Sequence, residues 1–317
     1  TANVYASACA YDFLKVDKKK KKALVCNGSA CMLAGHQGEV QQALVDQLGE
    51  DEVGEMCCLG RCYAHRAFHY DGNNYSLEQV DDLTDILKGK PGTPIDDYPV
   101  YSMGEKVLTN DYTKDYFIQI LREQLERDSA DLLDEISKSQ VRGRGGAGFP
   151  ISIKLDTVGK QEAEEKYIVC NADEGDPGAF SDRYLLERQP YAVLVGMILS
   201  GYITNAKEGV VYLRAEYPDA IRIIGQAIHE LNEMFPYKKA DGTVVEFELY
   251  LVKAHGAYIC GEETALLNSI EGQRPEVRTR PPFPAIEGLF GQPTLVNNVE
   301  TLACLPYIVR EGGMKYA

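Results

Sequence analysis

Arg142-Gly-Arg-Gly-Gly-Ala-Gly-Phe-Pro150 carries four glycines in six positions, Gly143, Gly145, Gly146 and Gly148, with arginines at 142 and 144. Glycine loses too much backbone entropy for such a run to sit inside a helix or strand. Two readings stand. The run is a flexible linker, or it is a loop whose bare N–H groups let a flat or phosphorylated ligand approach the backbone closely. Flexible linkers favour serine, which this run lacks, and that weights the second reading. The pattern is not Gly-x-Gly-x-x-Gly between a strand and a helix, so an ordinary dehydrogenase does not follow.

Downstream, strand-like and helix-like segments alternate. Lys166–Cys170, Gly209–Ala215 and Glu246–Ala254 read as strands. Tyr191–Thr204 reads as a buried helix, and Pro218–Phe235 as an amphipathic one with Ile221, Ile224, Ile228 and Leu231 on its apolar face. Gly261–Gly272 opens another. This order predicts an α/β fold with a parallel sheet covered on both faces, and ligands gather beyond the carboxyl ends of such strands. The blocks 142–154, 171–178, 257–263 and 280–301 are therefore expected to converge on one nucleotide- or flavin-binding crevice. Residues 113–126 (Tyr116, Ile120, Leu121, Leu125) and 129–138 (Leu132, Leu133, Ile136) read as packing helices ahead of it.

Residues 23–89 read as a separate α+β unit. Ala23–Cys26 is a strand, and Gln37–Leu48 a helix with Val40, Leu44 and Leu48 on one face and Gly49 as its stop. Ala67–Tyr75 is a hairpin turning at Asp71-Gly72. Ser76-x-x-Gln79 is a capping box for a helix through Val80, Leu83 and Leu87 that Lys88 and Gly89 close. Lys18–Lys22 reads as a solvated turn, and Pro91–Tyr101 as a linker.

The chain has nine cysteines, and five lie between Cys26 and Cys62; the others are Cys9, Cys170, Cys260 and Cys304. An odd number in a chain this long is a poor disulfide framework and fits a reducing, cytoplasmic setting. Cys26 and Cys31, with Cys58 and Cys62, make a four-thiolate set. Zinc pairs usually have two-residue spacers; spacers of four and three suit the wider footprint of a 2Fe–2S cluster. Zinc and a redox disulfide remain as alternatives. Cys57 competes with Cys58 as third ligand, and the spacer to Cys62 favours Cys58. Cys57 is then a buried or spare thiol, and Cys170, Cys260 and Cys304 are small core residues.

Of 317 residues, 44% are hydrophobic and 26% charged, a soluble globular profile. The net charge of −15 excludes an electrostatic nucleic-acid partner. No apolar run reaches the roughly 18 residues of a membrane helix, so no direct membrane insertion is expected.

Cys-x4-Cys, Cys-Leu-Gly-Arg-Cys and the Ala-Phe-x-x-x-Gly hairpin together resemble the thioredoxin-like 2Fe–2S ferredoxin family over residues 20–90. Further on, five strings in order resemble the family of NADH-binding, FMN-containing flavoproteins that serve respiratory complex I, NAD-reducing and bifurcating hydrogenases and NAD-dependent formate dehydrogenases. They are the glycine loop, Asn171-Ala-Asp-Glu-x-x-Pro-Gly178, Ala257-Tyr-Ile-Cys-Gly-Glu-Glu-Thr-Ala-Leu266, Arg280-Pro-Pro-Phe-Pro284 and Val296-Asn-Asn-Val-Glu-Thr-Leu302. The resemblance implies a thioredoxin-like 2Fe–2S domain at 1–90, a linker at 91–112, and a Rossmann-like FMN- and NAD-binding domain at 113–317. Relatives continue into ubiquitin-like and 4Fe–4S domains, and this sequence stops before them.

The resemblance also implies a site. Gly143, Arg144, Gly145 and Gly146 would lie against FMN, with Lys154 on its flavin side. Asn171, Asp173 and Glu174 would hydrogen-bond the flavin and ribityl chain, and Tyr258, Gly261 and Glu262 would line the same crevice. Asn297, Asn298 and Thr301 would hold the phosphate. For NAD, Phe149 would stack on a base, Asp176 would stand where relatives have glutamate, and Glu263 would sit near the adenosine ribose, favouring NAD over NADP. Arg280 and Phe283 would lie beside the dinucleotide. Cys26, Cys31, Cys58 and Cys62 would hold the cluster. Hydride transfer needs no general base, so no acid–base catalyst is expected. The implied function is hydride exchange between NAD(H) and FMN, with single electrons passing to iron–sulfur subunits of a hydrogenase, formate dehydrogenase, bifurcating or complex I-like assembly. Relatives carry aromatics just after the lysine, where this chain has Leu155, Asp156 and Thr157. That departure keeps a second reading: a non-catalytic relay or assembly subunit that no longer binds nicotinamide. His255 stands where glycine is usual in the family and reads as a packed or hydrogen-bonding residue.

Overall fold

The computed structural model describes residues 2–77, 83–89 and 98–317. Gln79 and Val80 of the expected capping box, and residues 91–97 of the expected linker, lie outside the described residues. The first unit runs α1 (Ala2–Ala8), α2 (Val16–Lys19), β1 (Ala23–Cys26), α3 (Ser29–Ala34), α4 (Gln37–Leu48), β2 (Val53–Met56), β3 (Ala67–Tyr70), β4 (Asn73–Ser76) and α5 (Leu83–Leu87). Its sheet has the order β2-β1-β3-β4. β1 and β2 are parallel, and the other neighbours are antiparallel. A parallel pair needs a crossover, which α3 and α4 provide. The β3–β4 turn takes positive φ at both Asp71 (48°) and Gly72 (78°), as a type I′ hairpin requires. α4 buries Val40 and Leu44 against Val25 and Phe68. The lysine run differs from the expected solvated turn. Val16–Lys19 is helical, Lys18 pairs with Asp12 at 3.3 Å, and Lys21 Nζ donates to the Asp51 carbonyl at 2.8 Å.

The second unit runs α6 (Lys114–Leu125), α7 (Ser129–Lys138), α8 (Ile151–Gly159), β5 (Tyr167–Ala172), α9 (Ser181–Arg188), α10 (Pro190–Thr204), β6 (Glu208–Leu213), α11 (Pro218–Asn232), a small hairpin β7 (Tyr237–Lys238) and β8 (Val244–Val245), β9 (Glu248–Lys253), α12 (Glu263–Ile270), β10 (Thr294–Asn298), α13 (Val299–Glu311) and α14 (Gly313–Tyr316). The main sheet is parallel throughout, in the order β10-β5-β6-β9. The expected alternation holds, and β10 is an addition to it: the sequence showed only a polar block there. Thr294 is tolerated inside the strand because its Oγ1 accepts from Leu289 N–H and donates to the Gln292 carbonyl. α10 is buried along most of its length and packs on α13; a Cβ at Gly196 would overlap the Leu302 carbonyl oxygen. In α6 the buried face centres on Phe117 with Ile120, Leu121 and Leu125, while Tyr116 is only half-buried. Among the described residues no helix is long and apolar enough to cross a membrane.

The chain passes from β5 outward to β6 and β9, then returns to place β10 on the other side of β5. The strand order therefore reverses between β5 and β10. At such a switch point the loops leaving two adjacent strands diverge and open a crevice at their carboxyl ends.

Candidate functional site

A cavity of about 490 Å³ opens at that switch point. All four expected blocks contribute to its lining, the last through Asn298 and Glu300. Arg144, Gly145 and Gly146 come from the glycine loop; Asn171 and Asp173–Asp176 follow β5; Tyr258, Gly261 and Glu262 follow β9. The glycine loop is closed on itself by Gly143 N–H donating to the Phe149 carbonyl at 2.9 Å and by Arg142 donating to the Gly148 carbonyl at 3.0 Å. It is tied down from outside by Arg144 N–H, which donates to Thr301 Oγ1 at 2.9 Å. The flexible-linker reading does not survive these bonds.

Strand ends and helix starts fix the polar side chains. Asn171 Nδ2 donates to the Gly261 carbonyl at 2.8 Å, joining the β5 loop to the β9 loop. Glu174 accepts from Ser181 Oγ and from the backbone N–H groups of Asp182 and Arg183, capping α9, and also from Tyr217 OH at 3.0 Å. Asn298 caps α13 through Glu300 N–H and donates to Asp182 Oδ2 at 2.6 Å. Across the mouth, Tyr258 OH donates to Asp176 Oδ1 at 2.8 Å, and the exposed Tyr258 ring covers Gly175.

Burial shifts the charges here. It pushes Asp173 up to about 7, against the pull of Arg214 and with help from Glu216. Burial also raises Asp182 well above the usual carboxylate range, helped by the nearby Glu174. Three buried atoms of the expected site residues lack hydrogen-bond partners: the carboxylate oxygens Asp173 Oδ2 and Glu262 Oε1, and the amide donor Asn297 Nδ2. An open cavity, a glycine cradle and unsatisfied polar atoms beside it suit a flat ligand with polar edges, and FMN meets that description.

The remaining expected residues do not line the cavity. Lys154 Nζ donates to the Val296 carbonyl at 2.8 Å and pairs with Glu263 at 3.7 Å. Burial lowers its pKa despite Glu263. Arg280 donates to Glu263 at 2.7 Å and approaches Glu262 at 3.4 Å. Phe149 and Phe283 are exposed. Of the residues after Lys154, Asp156 and Thr157 are half-buried, and Leu155 is fully buried in the main core. Its side chain therefore belongs to the packing of α8, not to the crevice. His255 is exposed and meets Tyr11 edge-on at 6.1 Å. Asp182, Ser181 and Glu300 line the cavity and were missed; each follows within a turn of a strand-end loop, at a helix start.

Cys26, Cys31, Cys58 and Cys62 are buried together, with Cys58 Sγ and Cys62 Sγ 3.4 Å apart. Hydrogen bonds from Cys26 and Cys62 hold the Cys58 thiol well below its usual range, a hydrogen bond with Cys31 and then one with Cys58 push Cys26 up, and the bond with Cys58 pushes Cys62 up. Cys57, expected to be buried or spare, is exposed, and all nine cysteines are free thiols. Cys170, Cys260 and Cys304 are buried, as small core residues should be. Among the described residues no group of three or more His, Cys, Asp or Glu side chains is arranged to hold a metal ion.

Known proteins resemble this chain in sequence and in fold. The family model described as the Nuo51 FMN-binding domain matches residues 136–307, more than half of the chain. An NADH-quinone oxidoreductase subunit of Aquifex aeolicus is 43% identical over 208 residues, covering 65% of this chain and 49% of that protein. The NADP-reducing hydrogenase subunit HndC of Solidesulfovibrio fructosivorans is 47% identical over 184 residues, 58% of this chain and 37% of that one. A crystal structure of an NAD+-reducing [NiFe]-hydrogenase in the H2-reduced state superposes with a TM-score of 0.80 at 28% identity, covering 98% of this chain and 56% of the other. The chain spans half or less of the length of these curated relatives.

Proposed function

The chain belongs to the family of the Nuo51 FMN-binding domain, and from that premise we propose that it is a diaphorase-type electron-transfer subunit of a larger oxidoreductase. It exchanges hydride between NAD(H) and FMN and passes single electrons between FMN and iron–sulfur clusters. The observation that carries this reading is the switch-point cavity, to which the glycine loop, the β5 loop, the β9 loop and β10 all contribute. Bound FMN supplies the conversion between two-electron hydride chemistry and one-electron transfer.

The residues of the chain bind, orient and exclude water. The glycine loop lets the ligand approach the backbone. Asp173 offers a hydrogen bond whose polarity depends on its proton, and Asn297 and Asn298 offer amide groups at the α13 N-terminus, where a phosphate is favoured. The Lys154–Glu263–Arg280 chain of charges stands at the Glu262 edge, on the side assigned to NAD, with Phe149 and Phe283 as exposed aromatic surfaces. We assign residues 1–90 to a thioredoxin-like 2Fe–2S domain, 91–112 to a linker and 113–317 to the FMN- and NAD-binding domain. The mixed sheet order β2-β1-β3-β4 supports the first assignment. The four buried thiols are a soft donor set suited to an iron–sulfur cluster. The partners on this reading are the iron–sulfur subunits of a complex I-like or hydrogenase-type assembly in a reducing, cytoplasmic compartment.

The test is to reconstitute the purified chain with FMN and titrate it with NADH anaerobically, following flavin absorbance. Bleaching at stoichiometric NADH is expected. Failure to bind FMN defeats the proposal, and FMN binding without bleaching favours the relay reading. The departure that favours the relay is the missing aromatic after Lys154, where Leu155 packs into the core and Asp156 and Thr157 are half-buried.

A further inference from the structure

The loop Cys58-Leu-Gly-Arg-Cys62 carries two of the four thiols, yet its backbone is held by the other unit. Arg214, the first residue beyond β6, is 3% exposed. Its Nη2 donates to the Cys58 carbonyl at 2.9 Å and pairs with Glu216 at 3.1 Å. Its Nη1 donates to the carbonyl of Glu174, a residue lining the cavity. Arg183, fully buried, donates to the Gly60 carbonyl at 2.8 Å. Gly60, at φ 70°, lies on the Tyr217 ring, where a Cβ would overlap the ring carbons. One guanidinium thus holds a thiol-bearing residue and a crevice-lining residue by their carbonyls at the same time.

We propose, on the reading of the four thiols as ligands of a 2Fe–2S cluster, that Arg214 is a positioning residue that ties the cluster loop to the flavin crevice and, with Glu216, sets the cluster's reduction potential. A rigid tie of this kind keeps two electron carriers at a fixed separation. The charge argument is independent of the tie. An electron added to the cluster is a negative charge, which a buried cation nearby stabilises and a buried anion opposes, and neither is screened as it would be in water. Arg214 therefore raises the potential and Glu216 lowers it. A purely structural clamp makes no such pair of opposite predictions, since loss of either partner would simply loosen the loop.

The experiment is an EPR-monitored redox titration of the full chain reconstituted with iron, sulfide and FMN, with iron and acid-labile sulfide counted for each variant. Arg214→Gln is expected to shift the one-electron equilibrium at least tenfold toward the oxidised cluster, 59 mV for a one-electron couple. Glu216→Gln is expected to shift it at least tenfold the other way, and Arg214→Lys, which keeps the charge, to stay within tenfold of the parent. A parent chain that shows no 2Fe–2S signal overturns the cluster reading and the proposal with it. A parent signal with both glutamine variants within tenfold of it, or both shifted the same way, overturns the role of Arg214 alone. Should Arg214→Gln not fold, Glu216→Gln and Arg214→Lys decide the matter: an upward shift in the first with none in the second supports the proposal, and any other result refutes it.

Discussion

Asp173→Asn is the most direct probe of the crevice. Asp173 sits at the end of β5 with Oδ2 buried and unpartnered, and burial lifts it from 3.8 to about 7. A shift of that size corresponds to about 4 kcal/mol between its two protonation states. Below about pH 4 both folded and unfolded chains hold the proton, and the residue has no effect on stability. Between about 4 and 7 the folded chain keeps a proton that the unfolded chain has lost, so stability falls as pH rises through that window. Above 7 the whole cost is present. Asparagine is nearly isosteric and cannot ionise, so Asp173→Asn should match the parent near pH 4 and exceed it by up to about 4 kcal/mol at pH 8. Urea unfolding of both proteins by circular dichroism at pH 5, 6, 7 and 8 measures the difference. Because Asp182 titrates in both proteins, subtracting the two curves isolates Asp173. A difference that stays flat with pH, or that grows as pH falls, refutes the assignment of a protonated Asp173. FMN affinity gives a second readout: it should fall above pH 7 in the parent as the donor is lost, and stay level in the variant.

Gly60→Ala should destabilise the chain by about 2–5 kcal/mol, summing about 1–2 for a left-handed alanine and about 1–3 for overpacking against Tyr217; urea unfolding measures it. The same variant should expose Cys58 and Cys62 to a thiol reagent faster than the parent, and unchanged reactivity would show that the loop does not depend on this contact. On the proposed placement of Glu263 near the adenosine ribose, Glu263→Ala should raise kcat/KM with NADP relative to NAD, because a carboxylate there would repel a 2′-phosphate. Arg280 and Lys154 already neutralise part of that charge, so the expected change is small, on the order of tenfold or less; an unchanged ratio would remove Glu263 from cofactor selection.

Much of the architecture was legible because it rests on patterns that local chemistry enforces. Gln37–Leu48 and the Asp71-Gly72 hairpin lie where periodicity and turn residues put them. The parallel sheet followed from the alternation of short apolar runs with helices. β10 was not legible. Thr294-Leu-Val-Asn-Asn298 has only two apolar residues, and its burial depends on hydrogen bonds of Thr294 and on the neighbouring β5 rather than on any local preference. The role of position 155 was not legible either. Leu155 follows Lys154, whose Nζ reaches β10, yet adjacent residues on a helix point about 100° apart, and this one turns into the core. Arg214 was within reach of the strand-end rule applied to β5 and β9, since it is the corresponding first residue after β6.

The glycine loop illustrates how position and chemistry combine. Gly146 and Gly148 take φ of 107° and 61°, which side chains with a Cβ rarely adopt. Gly145 approaches Asn298 closely enough that a Cβ would stand 3.5 Å from its Cβ, an ordinary contact, so space toward β10 does not demand glycine there. Gly145 and Gly146 both line the cavity, so their bare backbone is part of the surface a ligand would meet. The bonds to Thr301, Phe149 and Gly148 hold the loop in that shape. Two glycines are thus required by backbone conformation, and one of them, Gly146, together with Gly145 presents bare backbone to the cavity. A flexible linker would fix no such conformation, and a surface that meets a planar ligand needs one that is fixed.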